Sequence, residues 1–382
     1  MRAVRWSALN DELMMTTGTV PILKGRNMSR FFSEKYKSLK AYVPGEQPRD
    51  QQYIKLNTNE SPFPPHPDVE EAVRQEAGRL RLYSDPECTE LRKVLAERLQ
   101  LEPNMLLMCN GSDETLNFAF MAFCDQNTPA VFPNLTYGFY PVFAQVNQLP
   151  MREISLQPDF SIRIQDYFRA SGTIFIANPN APTGIALSRD EIEQIVKENP
   201  ENVVVLDEAY VDFGAESCLP LICKYDNLLV VQTFSKSRSL SGGRLGFGAG
   251  SPELIRDLNT VKYSTNPYNV NRLTAAAGIA CLLRDEYNRD NCRVIMENRT
   301  RCVGQLRELG FEMTDSLANF LFVRHPAISG EELYKQLKSR GILIRHFSLP
   351  QIADYNRITI GTQEQMDCLI RTIRVILEEK NA

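Results

Sequence analysis

Histidine is scarce: three occur in 382 residues, His66, His325 and His346, far apart and in no metal-ligand spacing. A Ser-His-Asp triad or a zinc centre has little to build on, and each imidazole reads first as a loop or surface group. The nine cysteines are scattered and never stand as C-x-x-C. That is the pattern of reduced thiols in a cytoplasm, neither a disulfide framework nor a metal site. No apolar run approaches 18 residues, so no membrane-spanning helix is expected. Neither G-x-x-x-x-G-K-S/T nor a strand-linked G-x-G-x-x-G occurs, which removes the familiar nucleotide-binding loops. A formal net charge of −4 gives no electrostatic reason to expect nucleic acid or an anionic membrane as partner.

What remains is an ordinary globular composition on a chain longer than one typical domain, so a large domain with a smaller companion is expected. Residues 1–29 read as a leader, disordered or preceding a native start at Met28, because acids and polar groups stand where a signal peptide needs an apolar core. From Pro103 to Gly250 short apolar runs alternate with helical patterns, the sign of βα units around a mostly parallel sheet. The strands "NMLLMCNG", "TPAVFPN", "GTIFIANPN", "NVVVLDEAYVDFG" and "NLLVVQTFSKS" stay apolar until a polar residue marks the C-terminal end. In open α/β sheets ligands gather at those ends, so Ser112-Asp113, Asn178 to Asn180, Asp207 and Ser235-Lys236 are expected around one crevice. After Pro267 a long helical stretch leads to "ANFLFV", "GILIR" and "RITIGT", which suggests a smaller α+β domain. The segment from Phe31 to Pro67 would pack on it rather than remain a long free loop. The expected boundaries are 30–75 for that N-terminal segment, 76–274 for the large domain and 275–382 for the small one.

Lys236 follows the apolar run "LLVVQTF", which puts it at the mouth of the sheet. A lysine at a strand end is usually a solvated charge, but desolvation or a nearby cation lowers its pKa, as a Schiff-base amine requires. Ser235 and Arg244 supply a hydroxyl and a guanidinium, the groups that hold a phosphate. Ser112 and Asp113 open a helix, and whether they merely cap it or also present N–H groups to an anion, the same donors serve. Asp207 stands after the apolar "VVVL", where a carboxylate is costly unless a cation meets it, or else caps the next helix. The glycines of "GGRLGFGAG" read equally well as tight turns beside a strand. A lysine for an imine, an aspartate for a pyridinium and a serine, arginine and helix end for a phosphate together describe pyridoxal phosphate.

Those residues carry a resemblance over some 340 residues, from about Tyr36 to the C-terminus, through "KLNTNESPFPP", "LYSDPE", "NGSDE", "TYGFY", "NPNAPTG", "LDEAY", "TFSKS" and "RITIGT". The chain resembles the fold-type I pyridoxal-phosphate aminotransferases, most closely the histidinol-phosphate aminotransferases. The resemblance implies an α/β fold with a large, mostly parallel seven-stranded sheet and a smaller α+β domain. It implies transamination between L-histidinol phosphate and 2-oxoglutarate in histidine biosynthesis. Lys236 would be the cofactor's anchor and proton carrier, Asp207 its pyridine partner, Tyr210 the partner of its ring oxygen, and Tyr137 would stack on the ring. Ser112, Asp113, Ser235 and Arg244 would hold the phosphate, with Tyr83 reaching it from a second subunit of a homodimer. Arg357, Arg345, Tyr42 and Asn319 would bind substrate, and no metal is implied. Where many members have an asparagine before P-T-G this chain has Ala181, leaving the ring contact to Asn180 or Asn178. Ser237-Arg238 replaces an alanine and an aromatic, a change expected to alter access to the site. Motifs around the cofactor do not separate this activity from an aromatic or prephenate-type aminotransferase or a threonine-phosphate decarboxylase. A non-catalytic binding module would need an output segment, for which 27 leading residues are too few.

Overall fold

A computed structural model describes residues 29–381. The leader read at 1–29 lies outside them except for Ser29. In chain order the strands are β1 (Ile54–Leu56), β2 (Leu106–Cys109), β3 (Ala130–Pro133), β4 (Met151–Ile154), β5 (Thr173–Ala177) and β6 (Val204–Asp207). They continue as β7 (Leu228–Thr233), β8 (Gly246–Ala249), β9 (Glu312–Met313), β10 (Phe320–Arg324), β11 (Ile342–His346) and β12 (Asn356–Thr359).

Seven of them form one sheet in the order β2-β8-β7-β6-β5-β3-β4, all parallel but β8. Side chains alternate across it with period two. Leu106, Met108, Ile174, Ile176, Val204, Leu206 and Val230 face one apolar layer; Leu107, Cys109, Phe175, Val205 and Val231 face the other. Helices cover both faces, which is why these strands read as unbroken apolar runs. On one side lie Pro67–Ala77, Thr89–Leu99, Arg189–Lys197 and Arg272–Leu283, on the other Ser112–Phe123 and Pro252–Thr265. Arg189–Lys197 shows how locally such a helix is encoded: a capping box between Ser188 and Glu191 starts it, and Ile192, Ile195 and Val196 bury one stripe.

The remaining strands build a second sheet, β1-β11-β12-β10-β9. Helices Asp285–Glu308, Gly330–Ser339 and Gln363–Asn381 bury its apolar face through Ile295, Cys302, Leu333, Leu337, Leu369 and Ile373. β1 pairs in parallel with β11, so the stretch before Pro67 does reach this sheet. Helix Pro67–Ala77 does not follow it; its Val69 lies in the core of the large sheet. Helix Arg272–Leu283 straddles the expected boundary at 274/275 and joins the same core through Ala277, Cys281 and Leu282. The stretch "GFGA", read as turns, is the antiparallel strand β8. No helix among the described residues is long and apolar enough to cross a membrane.

Candidate active site

Because β2, β5, β6 and β7 run the same way, their C-terminal ends share one edge, and the second sheet closes over it. Between the two lies a cavity of about 460 Å³ continuous with a lobe of about 270 Å³, both bordered by Thr58, Tyr137, Ala181, Tyr210 and Lys236.

An anion cradle occupies one end of the larger cavity. Gly111, at φ 86°, turns the chain from β2 into the helix Ser112–Phe123. Arg244 folds back to Asp113 Oδ2 at 3.2 Å and to Ser235 Oγ at 3.5 Å, while Thr233 Oγ1 donates to Ser235 Oγ at 3.0 Å. A Cβ on Gly246 would sit 2.4 Å from the Ser112 nitrogen, and one on Gly111 would sit 2.7 Å from Arg244 Nη2. The two glycines therefore let strand, helix start and guanidinium converge on orphan N–H groups, an arrangement suited to a phosphate. Gly246→Ala is expected to push the helix start away and weaken phosphate-ligand binding about tenfold or more, the size of a typical overpacking penalty. A dissociation constant equal to that of the parent protein would remove Gly246 from the cradle.

At the cavity floor Asp207 is buried, its Oδ1 accepting the Ala209 N–H at 3.1 Å and its Oδ2 the Tyr140 hydroxyl at 3.3 Å. Among the described residues it forms no ion pair. Burial pushes its carboxyl up to about 7, against those two hydrogen bonds, with Asp113 adding to the rise. A group so placed calls for a cation from a ligand. Tyr137 donates to Asp113 Oδ1 at 2.7 Å at the cavity wall.

Lys236 emerges just past β7 with its Nζ 3.3 Å from the Thr58 carbonyl and 5.9 Å from the centre of the Tyr210 ring. Burial, with help from the positive charges of Arg357 and Arg244, lowers its ammonium to about 8; Asp113 and Glu60 work against that. A lysine so lowered is neutral in a far larger fraction near physiological pH than an ordinary one. This amine is available as a nucleophile and a base.

The smaller lobe is cationic at one end. Arg345 on β11 and Arg357 on β12 stand directly opposite each other across an antiparallel pair. Like charges in that position destabilise a sheet unless an anion joins them. Arg357 donates to the Asn57 carbonyl at 3.1 Å and its buried Nε has no partner, while Arg345 donates to the Val43 and Pro44 carbonyls. Neither makes a salt bridge among the described residues. Tyr42 stacks on Phe139 with centroids 4.0 Å apart at the mouth.

Three expected contacts fall elsewhere. Asn178 is consumed by the Leu187 backbone, and Asn180 by Thr136, Leu135 and Thr183. Both close the loop around Ala181 instead of reaching into the cavity. Asn319 is fully buried and borders neither lobe; its Nδ2 supports the Asn59 carbonyl. Tyr83, expected to act on a second subunit, is 79% exposed and stacked on Tyr268, away from the cavity of its own chain. Ser237 and Arg238 point to the far side of the Lys236 backbone, into a separate cavity where both bind Asp212 and Arg238 faces Asp285. They tie the two units together and do not border the path to Lys236.

Pyridoxal phosphate fits this set. The glycine-lined cradle suits its phosphate, the buried and unpaired carboxyl suits a protonated pyridine, and the amine of lowered pKa suits its carbonyl.

A family model for aminotransferase class I and II matches residues 51–373. A histidinol-phosphate aminotransferase of Brachyspira hyodysenteriae is 48% identical over 353 residues, 92% of this chain and 100% of that protein. The structure of histidinol-phosphate aminotransferase from Sinorhizobium meliloti in complex with pyridoxal-5'-phosphate shares the fold, with a TM-score of 0.82 at 23% identity over 91% of this chain and 99% of that one. So does L-threonine-O-3-phosphate decarboxylase from Porphyromonas gingivalis, with a TM-score of 0.76 at 23% identity over 85% of this chain and 99% of that one.

Proposed function

We propose, since this chain belongs to the class I and II aminotransferases and groups with the histidinol-phosphate enzymes over nine-tenths of its length, that it transfers an amino group between L-histidinol phosphate and 2-oxoglutarate. It is a pyridoxal-phosphate-dependent transaminase, and histidine biosynthesis is its pathway. The observation that carries the substrate class is the Arg345–Arg357 pair, two cations side by side at the far end of the lobe with no carboxylate partner among the described residues. Each half-reaction brings an anion to that end, a phosphate in one and a carboxylate in the other, and a guanidinium binds either through two parallel hydrogen bonds. Leu135, Phe347 and Ile352 border the same lobe and give a ring an apolar wall.

Bound in the larger cavity, pyridoxal phosphate supplies a carbonyl for the amino group and a protonated ring that draws electrons from the substrate's α-carbon. The chain's residues then divide the work. Ser112, Ser235 and Arg244 would hold the phosphate and so fix the ring's position. Asp207, disfavoured as a bare carboxylate by its burial, keeps the proton on the ring nitrogen. Tyr210 would donate to the ring oxygen and Tyr137 would cover the ring face. Lys236 would anchor the cofactor and carry the α-proton between the two sides of the exchange, a role that needs an amine neutral near physiological pH.

Two further expectations belong to this reading. Tyr83 is exposed beside the exposed Leu80 and Leu82, which supports a homodimer in which a second copy covers this patch and a tyrosine crosses to the phosphate end. All nine cysteines are free, which fits the reducing cytoplasm.

Arg357→Leu is expected to lower kcat/KM for histidinol phosphate by about a hundredfold to a thousandfold, the range for losing one partner of a buried charge pair. Arg357→Lys keeps the charge but loses the fork, so it falls between. An unchanged kcat/KM in Arg357→Leu would rule out the arginine as the anion site.

A further inference from the structure

Just past β1, three consecutive residues each touch one group of the site. The Asn57 carbonyl accepts from Arg357 Nη2 at 3.1 Å, the Thr58 carbonyl from Lys236 Nζ at 3.3 Å, and Asn59 Nδ2 donates to Tyr210 Oη at 3.0 Å. Asn59 is itself fully buried and pinned on all sides. Its N–H donates to Thr359 Oγ1, its Oδ1 accepts from the same hydroxyl, and its carbonyl accepts from Asn319 Nδ2, each at 3.0 Å. Its backbone sits at φ 57°, in the left-handed region that asparagine tolerates better than most residues.

A phenol has one proton to give and lone pairs to accept with. Asn59 fills the accepting side of Tyr210, so the phenolic proton is left to point into the cavity. On the other border Ala181 offers no side-chain donor, and Asn178 and Asn180 are turned into their own loop. We propose that Asn59 is a positioning residue that aims the Tyr210 proton at the cofactor's ring oxygen, the contact on which that oxygen depends where Ala181 supplies none. The inference rests on the Tyr210 role proposed above. It also gives the strap 57–59 a reason to lie where it does: β12, which carries the substrate arginine, holds Asn59 through Thr359, two residues from Arg357 on the same face of the strand.

The test is the pH midpoint of the visible absorbance band of the loaded protein, a property that packing alone does not move. An O–H donated to the ring oxygen favours its deprotonated form, so losing the donation raises the midpoint. Asn59→Gly fits the left-handed backbone without strain and removes only the side chain. It is expected to raise the midpoint by about half to one pH unit, the size of one hydrogen bond. Asn59→Asp, whose carboxylate would accept the phenolic proton and turn it away, is expected to match the larger rise of Tyr210→Phe. In the Tyr210→Phe background, Asn59→Gly adds nothing. Thr359→Val, which releases the Asn59 side chain, moves the midpoint the same way by less and serves if Asn59→Gly does not fold. A midpoint that stays at the parent value in Asn59→Gly while Tyr210→Phe moves it would overturn the proposal, as would an Asn59→Gly shift that persists without the phenol. No shift in Tyr210→Phe itself would instead remove the role of Tyr210, and this inference with it.

Discussion

Lys236→Ala is expected to lower kcat by about four orders of magnitude or more, with the protein still folded. General acid–base catalysis alone supplies about 10²–10⁴, and this substitution removes the covalent anchor together with the base. The loss follows from a single amine whose Nζ is within reach of Thr58, faces Tyr210 and is lowered to about 8 by its burial. The same value sets a pH dependence. Uptake of cofactor by the apoprotein needs the neutral amine, so its rate is expected to rise about tenfold per pH unit below 8 and to level off above it. A rate that climbs without a break to pH 10 would mean an ordinary lysine, and Lys236→Ala turning over at the parent rate would end the assignment.

Asp207→Asn is expected to cost about a thousandfold in kcat, within the range for a group that holds a proton where the reaction needs it. An amide is neutral and nearly isosteric, so it keeps the cavity's shape but leaves the ring nitrogen without an anionic partner. The apoprotein offers a second readout. Burial raises the Asp207 carboxyl above its unfolded value, so the folded state prefers it protonated. Its contribution to stability is complete below the unfolded value, near pH 4, and is lost as pH rises through about 7. Tm of the apoprotein is therefore expected to fall over that window, less steeply in Asp207→Asn. Part of the fall remains in the variant, because Glu208, also buried and raised to about 7, titrates beside it. Identical pH profiles of Tm for the two proteins would show that Asp207 does not carry the burial argued for it.

The large sheet was legible because strands covered on both faces must be apolar throughout, and a polar residue then marks each C-terminal end. Asp207 and Lys236 could be found that way, and Arg244 as the guanidinium that follows the lysine and suits a phosphate. β8 was not legible: the glycines that let it pass Ser112 carry no strand propensity, and the reason for Gly246 lies in a neighbour 134 positions earlier in the chain. Tyr140 and Asn59 were missed for a related cause. Each acts on a residue far along the chain, Asp207 or Tyr210, and no local pattern marks a hydrogen bond of that separation. Ser237 and Arg238 misled because adjacency to Lys236 was read as nearness to the site. Just past a strand end successive side chains diverge, and these two leave on the opposite side, to Asp212 and Asp285. Asn319 was right in neighbourhood and different in action, since it holds Asn59 from behind.

The measurement that bears most directly on the whole account is a comparison of amino donors under one set of conditions. The purified holoenzyme is given 2-oxoglutarate with L-histidinol phosphate, phenylalanine or threonine phosphate, and glutamate is followed in each. The highest kcat/KM is expected with L-histidinol phosphate, with one glutamate formed per donor consumed. Glutamate from phenylalanine alone, or carbon dioxide released from threonine phosphate without glutamate, would contradict it.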